Sequence, residues 1–224
     1  MAARAKMAKA AQSEEINIPK MEYRITDIPI IGETPLISNR WNPEQIEKIK
    51  AKQEKRNLPE QGPRKPQAEF EATIYRLPHG APAFPAAAFK RASVEAVRLV
   101  SGMAMTEARV LFHFLGDENT DLVRIIGNPT YREDMRKLES GTYDPVYRAE
   151  YKEWGAVLRV KLLINKISIE QMVNLVNLAG IGGVGAWRAS SPTGKSGNFG
   201  MFHVASEKEM AKLIASLKKK SSRG

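Results

Sequence analysis

Between Gly180 and Gly200 the chain carries glycine at 180, 182, 183, 185, 194, 197 and 200, directly after a strong amphipathic helix pattern. Placed directly after a helix, such a stretch reads as a loop whose backbone binds a phosphate or as a flexible connection to the last strand. Repeated glycines let main-chain N–H groups approach an anion without Cβ obstruction, as at Gly182, Gly183, Gly185 and Gly197. Trp187, Arg188, Lys195 and Ser196 set a stacking surface, positive charge and a hydroxyl beside them.

Two nucleotide motifs match this stretch by letter and fail on structural context. Gly180-Ile-Gly-Gly-Val-Gly185 spells G-x-G-x-x-G, but a dinucleotide fingerprint follows a strand and opens a helix, whereas here a helix precedes and none follows. Ala189 to Ser196 fits a relaxed Walker A pattern. Gly197, Asn198 and Gly200 then occupy the place where that motif needs a helix N-terminus.

The charge narrows the partner. Across 224 residues the formal net charge is +10, with a sequence pI near 9.7, which points to a polyanion, most simply nucleic acid. Without cysteine there is no thiolate metal site, and His79, His113 and His203 are widely spaced, so neither metal nor cofactor is expected. No apolar run reaches membrane-spanning length, and the basic, Ala-rich start lacks a secretory h-region. The expectation is a cytoplasmic protein with no membrane partner and a basic disordered arm over residues 1–21.

Residues 22–204 read as one α+β domain. Tyr23 to Ile31 is a first strand ended by Gly32 and Thr34-Pro35. Asn42, Pro43 and Gln45 open a charged helix over 42–56, and Pro59, Pro63 and Pro66 extend an excursion over 40–67. Glu71 to Leu77 reads as a second strand, and Phe84-Pro85 opens a helix to about Val100 with Phe89, Ala92, Ala96, Val97 and Val100 buried. Val110 to Leu115 and Leu122 to Ile126 are expected strands around an acidic turn, and about 128–145 a projecting loop or hairpin.

Val146 to Tyr151 and Ala156 to Ile164 are expected to pair as a hairpin. In the second of these strands Leu158, Val160 and Leu162 point one way, Arg159 and Lys161 the other. Ser168 and Gln171 form a capping box for a helix ending at Gly180, and 198–204 closes as a strand. Residues 205–224 follow as a C-terminal basic helix and tail.

This order of elements is that of an elaborated ferredoxin-like or RNA-recognition-motif-like fold with projecting loops. The helix after Phe84-Pro85, with Lys90-Arg91 in its first turns, and the loop with Gly182-Gly183, Arg188 and Ser196-Gly-Asn-Phe-Gly resemble the RAMP superfamily, the RNA-binding backbone subunits of CRISPR effector complexes. The layout is also similar to that of uncharacterised phage-encoded proteins. The RAMP resemblance implies that the glycine-rich loop and that helix contact the backbone of a single-stranded RNA, that inserted hairpins act as thumbs, and that copies stack into filaments. The loop Glu33 to Arg40 has no aspartate where cleaving members carry their catalytic acid, so no enzymatic activity is implied.

Each candidate also has a plainer structural use. The glycine loop serves as a connector, Lys90, Arg91 and Arg98 as the solvated face of a helix, Arg159 and Lys161 as an outward strand face, and Trp187 as a core cap. Asp117, Glu118 and Asp121 suit turn chemistry better than a metal. Three function classes follow: a non-catalytic single-stranded RNA- or DNA-binding protein that assembles with neighbouring copies, or a phage or accessory assembly protein. A recombination or annealing protein acting on single-stranded DNA is the third class.

Overall fold

The computed structural model describes residues 20–56, 63–137, 140–191 and 197–221. The expected N-terminal arm, apart from its last two residues, and the candidate contacts Lys195 and Ser196 lie outside the described residues.

The chain begins with β1 (Tyr23–Gly32) and β2 (Leu36–Ser38), then α1 (Pro43–Gln53), α2 (Pro66–Ala72), β3 (Tyr75–Arg76) and β4 (Pro82–Pro85). α3 (Ala86–Ala96) runs into a 3-10 turn and is followed by α4 (Met105–Leu111), β5 (Phe112–Leu115) and β6 (Leu122–Gly127). Then come β7 (Thr130–Lys137), β8 (Tyr143–Tyr151), β9 (Trp154–Leu163), α5 (Ile169–Gly182), β10 (Phe202–Val204) and α6 (Glu207–Ser221).

β9 is the organising strand. Its period-two alternation buries Ala156, Leu158, Val160 and Leu162 completely, while Val157 and Arg159 stay exposed on the other face. β1 pairs with it antiparallel, Ile28 opposite Leu158 and Ile30 opposite Ala156, so two buried rows meet on one face. Along the far edge of β9, β5 pairs with its second half and β6 with its start. The main sheet therefore runs β10-β1-β9-β6-β4-β3, with β5 beside β9. A second antiparallel sheet runs β2-β8-β7.

α3 and α5 pack on each other, and Phe89 of α3 meets Phe84 and Phe202 edge-on, closing the core over the apolar sheet face. The Ser168 capping box starts α5, with both reciprocal hydrogen bonds made. Gly180 permits the tightest approach in this layer: a Cβ there would lie 1.7 Å from the Phe202 carbonyl oxygen. α6 crosses the opposite sheet face, where Met210 and Leu213 pack over Gly155. It leaves Tyr23, Ile25 and Val157 of that face exposed.

Several expectations require correction. Residues 66–72 form a helix rather than a connector running into a strand, because Phe70 supplies a buried anchor and β3 is cut to two residues. Residues 105–111 are helical, so the strand expected from Val110 begins only at Phe112. Val100 is 43% exposed instead of buried, since α3 has given way to a 3-10 turn before it. The segments 146–151 and 156–164 do not form a hairpin. β8 joins β7 and β2, and β9 joins β1, because Glu153 and its neighbours carry the chain from one sheet to the other. β10 is also shorter than the strand expected over 198–204.

Candidate nucleic-acid interface

The glycine loop is built rather than open. Val184 N–H donates to the Gly200 carbonyl, Ala186 N–H to that of Ile37, and Ser190 N–H to that of Gly182. The space that the glycines spare is already filled by protein: a Cβ at Gly183 would lie 2.7 Å from the Phe199 carbonyl oxygen, and one at Gly185 equally close to that of Ile37. Gly182 and Gly197 likewise face Ser190 and the Trp187 carbonyl. These glycines let the loop dock on β2 and on its own returning segment at Phe199 and Gly200.

Trp187 holds the other side of the loop. It adopts a left-handed backbone conformation, φ 58°, and its ring tilts against Phe199 with centroids 5.9 Å apart. The guanidinium groups of Arg132 and Arg148, on β7 and β8, stand 5.3 and 4.8 Å from the ring centroid. Both arginines are neutralised by hairpin carboxylates, Arg132 by Asp134 and Glu150 and Arg148 by Asp134. Burial pushes the Arg148 guanidinium below its ordinary range, with Asp134 opposing that shift. This cluster fastens the loop to the second sheet, which leaves Trp187 engaged with protein.

What the docked loop creates is a groove of about 410 Å³ between itself and the start of α3. Arg91, Arg188, Asn39 and Tyr75 line it, together with Ala87 and Ala88. Arg188 donates to the Gly185 carbonyl at 3.3 Å and to Ser190 Oγ at 3.1 Å, both neutral oxygens. Arg40 stands over the Tyr75 ring, 6.0 Å from its centroid. Neither Arg188 nor Arg40 has a carboxylate partner among the described residues, whereas Arg91 shares its charge with Glu95 one turn along α3.

The N-terminus of α3 opens into this groove. Pro85 at the cap position offers no side-chain hydrogen bond, and the Ala86 N–H is taken by the Asp121 carbonyl. The next amides, at Ala87 and Ala88, belong to the first turn, where N–H groups lack intrahelical partners and carry the positive end of the helix dipole. Ala87 is exposed and Ala88 half-buried, and both line the groove.

The sequence-derived candidates thus fall into separate places. Arg91, Gly185 and Arg188 meet at the groove. Lys90 faces the far side of α3, with Nζ 3.2 Å from His113 Nδ1, beside Lys161 of β9. Arg159 is paired with Asp27 across the β1–β9 ladder at 3.2 Å, which reduces the basic character expected of that face. Gly182, Gly183 and Gly197 shape the loop, and Trp187 fastens it. Asp117 acts through its backbone surroundings, accepting from the Arg124 N–H, in keeping with turn chemistry. Asn39 and Arg40 escaped sequence reasoning because they sit at the edge of what reads as an excursion, and Tyr75 because it lies within an expected strand.

No helix among the described residues is long and apolar enough to cross a membrane. No protein-family model matches the chain, and no curated protein matches it. Among solved structures it is similar to a chain of "Cryo-EM structure of the Type III-B Cmr-beta bound to cognate target RNA", at 13% identity and a TM-score of 0.44. That match covers 82% of this chain and 59% of the other, so the chain spans about three fifths of that neighbour's length. It is also similar to "Crystal structure of Cmr6 from Pyrococcus furiosus", at 11% identity and a TM-score of 0.39, covering 83% of this chain and 100% of the other. Likeness at this level carries no statement about activity.

Proposed function

We propose that this protein is a non-catalytic single-stranded nucleic-acid-binding protein, RNA being the preferred ligand, that seats a phosphodiester backbone in the groove between α3 and the glycine loop. The observation that carries this reading is the groove itself. Arg188 lines it and Arg40 stands over the Tyr75 ring of its wall, neither with a carboxylate partner among the described residues, beside a helix N-terminus with no side-chain cap, in a chain of net charge +10. The loop contributes by placing Arg188 rather than by offering a ring of amides. The core is read as an elaborated ferredoxin-like domain: strands β10-β1-β9-β5 lie side by side, and α3 and α5 occupy the two crossovers.

Fluorescence polarisation with labelled single-stranded RNA, single-stranded DNA and duplex of equal length tests this reading. Salt-sensitive binding that favours the single strands is expected. Absence of binding to all three at low ionic strength overturns it.

A second reading, assembly with other protein copies, is supported by exposed apolar side chains: Leu99 is 70% exposed, Val110 66% and Ile25 56%. Light scattering separates the two, since self-association independent of nucleic acid favours assembly.

A further inference from the structure

Lys90 and Arg91 are neighbours in sequence but point about 100° apart around α3, so only Arg91 serves the groove. Lys90 instead reaches across to β5. Its Nζ lies 3.2 Å from Nδ1 of the exposed His113, and His113 stands directly opposite Lys161 in the β5–β9 ladder. Lys161 in turn lies 4.5 Å from the centroid of the exposed Tyr23 ring. Three basic side chains from three elements therefore converge on one patch of the open sheet face.

Carboxylates offset some of the molecule's basic side chains and leave others, Arg40 and Arg188 among them, without one among the described residues. Arg56, Arg64, Arg76, Arg91, Arg132, Arg148, Arg159 and Lys220 each have a carboxylate partner. Lys90 and Lys161 have none among the described residues: one is held by an imidazole and the other by a phenol ring. A charged lysine can only donate, so His113 Nδ1 accepts, and the neutral imidazole keeps its proton on Nε2. Such a cluster lacks a counter-ion, and a bound anion would supply it.

We infer that Lys90, His113 and Lys161 form a second contact for a phosphodiester group of the same single-stranded nucleic acid, and that binding there is coupled to proton uptake by His113. The inference rests on the nucleic-acid reading above. Phosphate fits better than an acidic side chain because Tyr23 and Ile25, both more than half exposed, lie beside the cluster as a flat apolar surface for a base.

The groups that face His113 set the sign of the coupling. Burial first, then Lys90 from α3 and Lys161 from β9, push its imidazolium below the ordinary histidine range, and a backbone contact at Val110 opposes them weakly. Arg159, further along β9, is already offset by Asp27. His113 is thus neutral at pH 7 in the free protein. A phosphate beside it favours the charged form, so affinity rises as pH falls through the raised value and levels off below the free one.

The test uses the full chain and a labelled 15-nucleotide oligouridylate, with polarisation and NMR titration of His113 followed together. Parent protein should bind on the order of three- to ten-fold tighter at pH 5.5 than at pH 7.5, within the tenfold per pH unit that one proton permits. The His113 titration should move upward when the oligonucleotide is present. In His113→Gln the pH dependence should disappear, and Lys90→Ala with Lys161→Ala should weaken binding at both pH values. Binding that leaves the His113 titration in place, or His113→Gln that keeps the full pH dependence, overturns this inference and leaves the groove reading standing. Failure of the oligonucleotide to bind at any pH overturns both.

Discussion

The Arg148 guanidinium stands 4.8 Å from the centroid of the Trp187 ring, and this contact joins the glycine loop to the second sheet. Arg132 approaches the same ring at 5.3 Å, so the indole serves two cations held by hairpin carboxylates. Replacing Trp187 by alanine should destabilise the fold by about 2 kcal/mol, combining two cation–π contacts with lost apolar burial. Because residue 187 is left-handed, Trp187→Gly should be the milder change by about 1 kcal/mol. Equal melting temperatures for the two variants would contradict this.

Glycines in one stretch should respond very differently to a single methyl. A Cβ at Gly180 would lie 1.7 Å from the Phe202 carbonyl, whereas the nearest side-chain atom at Gly182 is 3.3 Å away. Gly180→Ala should cost about 3 kcal/mol or more by forcing α5 from β10. Gly182→Ala should stay within about 1 kcal/mol of the parent, helped by the better helix propensity of alanine. Urea denaturation distinguishes them, and similar midpoints would contradict the packing described.

Tyr151 is fully buried, and its hydroxyl has no hydrogen-bond partner among the described residues. Burial drives its acidity down, pushing the phenol well above its ordinary range. Tyr151→Phe should therefore be neutral or stabilising by about 1 kcal/mol, since an unsatisfied polar group is removed with shape preserved. A loss of more than about 1 kcal/mol would reveal a satisfied hydroxyl.

Acid should loosen the tie between α2 and β8. Arg64 donates to Glu69 at 2.6 Å and to Asp144 at 2.7 Å. The hydrogen bond from Arg64 holds the Glu69 carboxyl below its usual range, with burial opposing. A carboxyl depressed on folding contributes stability above its unfolded value, about 4.3, and loses it as pH falls through the folded one. The difference in melting temperature between parent and Arg64→Ala should shrink between pH 6 and pH 3. A constant difference would contradict the assignment.

Local chemistry made much of the fold legible in the sequence. Alternation at Leu158, Val160 and Leu162 marks β9, Ser168 and Gln171 mark the start of α5, and Asn42 caps α1. Non-local decisions were not legible. Nothing between Val146 and Ile164 says that β8 turns to β2 while β9 turns to β1, because partner choice is settled by distant strands. The glycine-rich stretch was legible as a loop after α5. Its glycines, however, accommodate the protein's own carbonyls at Phe199 and Ile37, and no local pattern shows which atom a missing Cβ makes room for. Asn39 and Tyr75 join the groove only through folding.

The central claim is that a phosphodiester backbone lies between Arg188 and the start of α3, and the salt dependence of binding tests it most directly. Affinity for a labelled oligouridylate is measured from low to moderate salt for parent, Arg91→Ala with Arg188→Ala, and Lys208→Ala on exposed α6 as control. The account predicts that the groove variant loses about 0.7 from the logarithmic salt slope per lost phosphate contact, with thermal stability largely retained and the control unchanged. Equal slopes for parent and groove variant, in a folded protein, would contradict it.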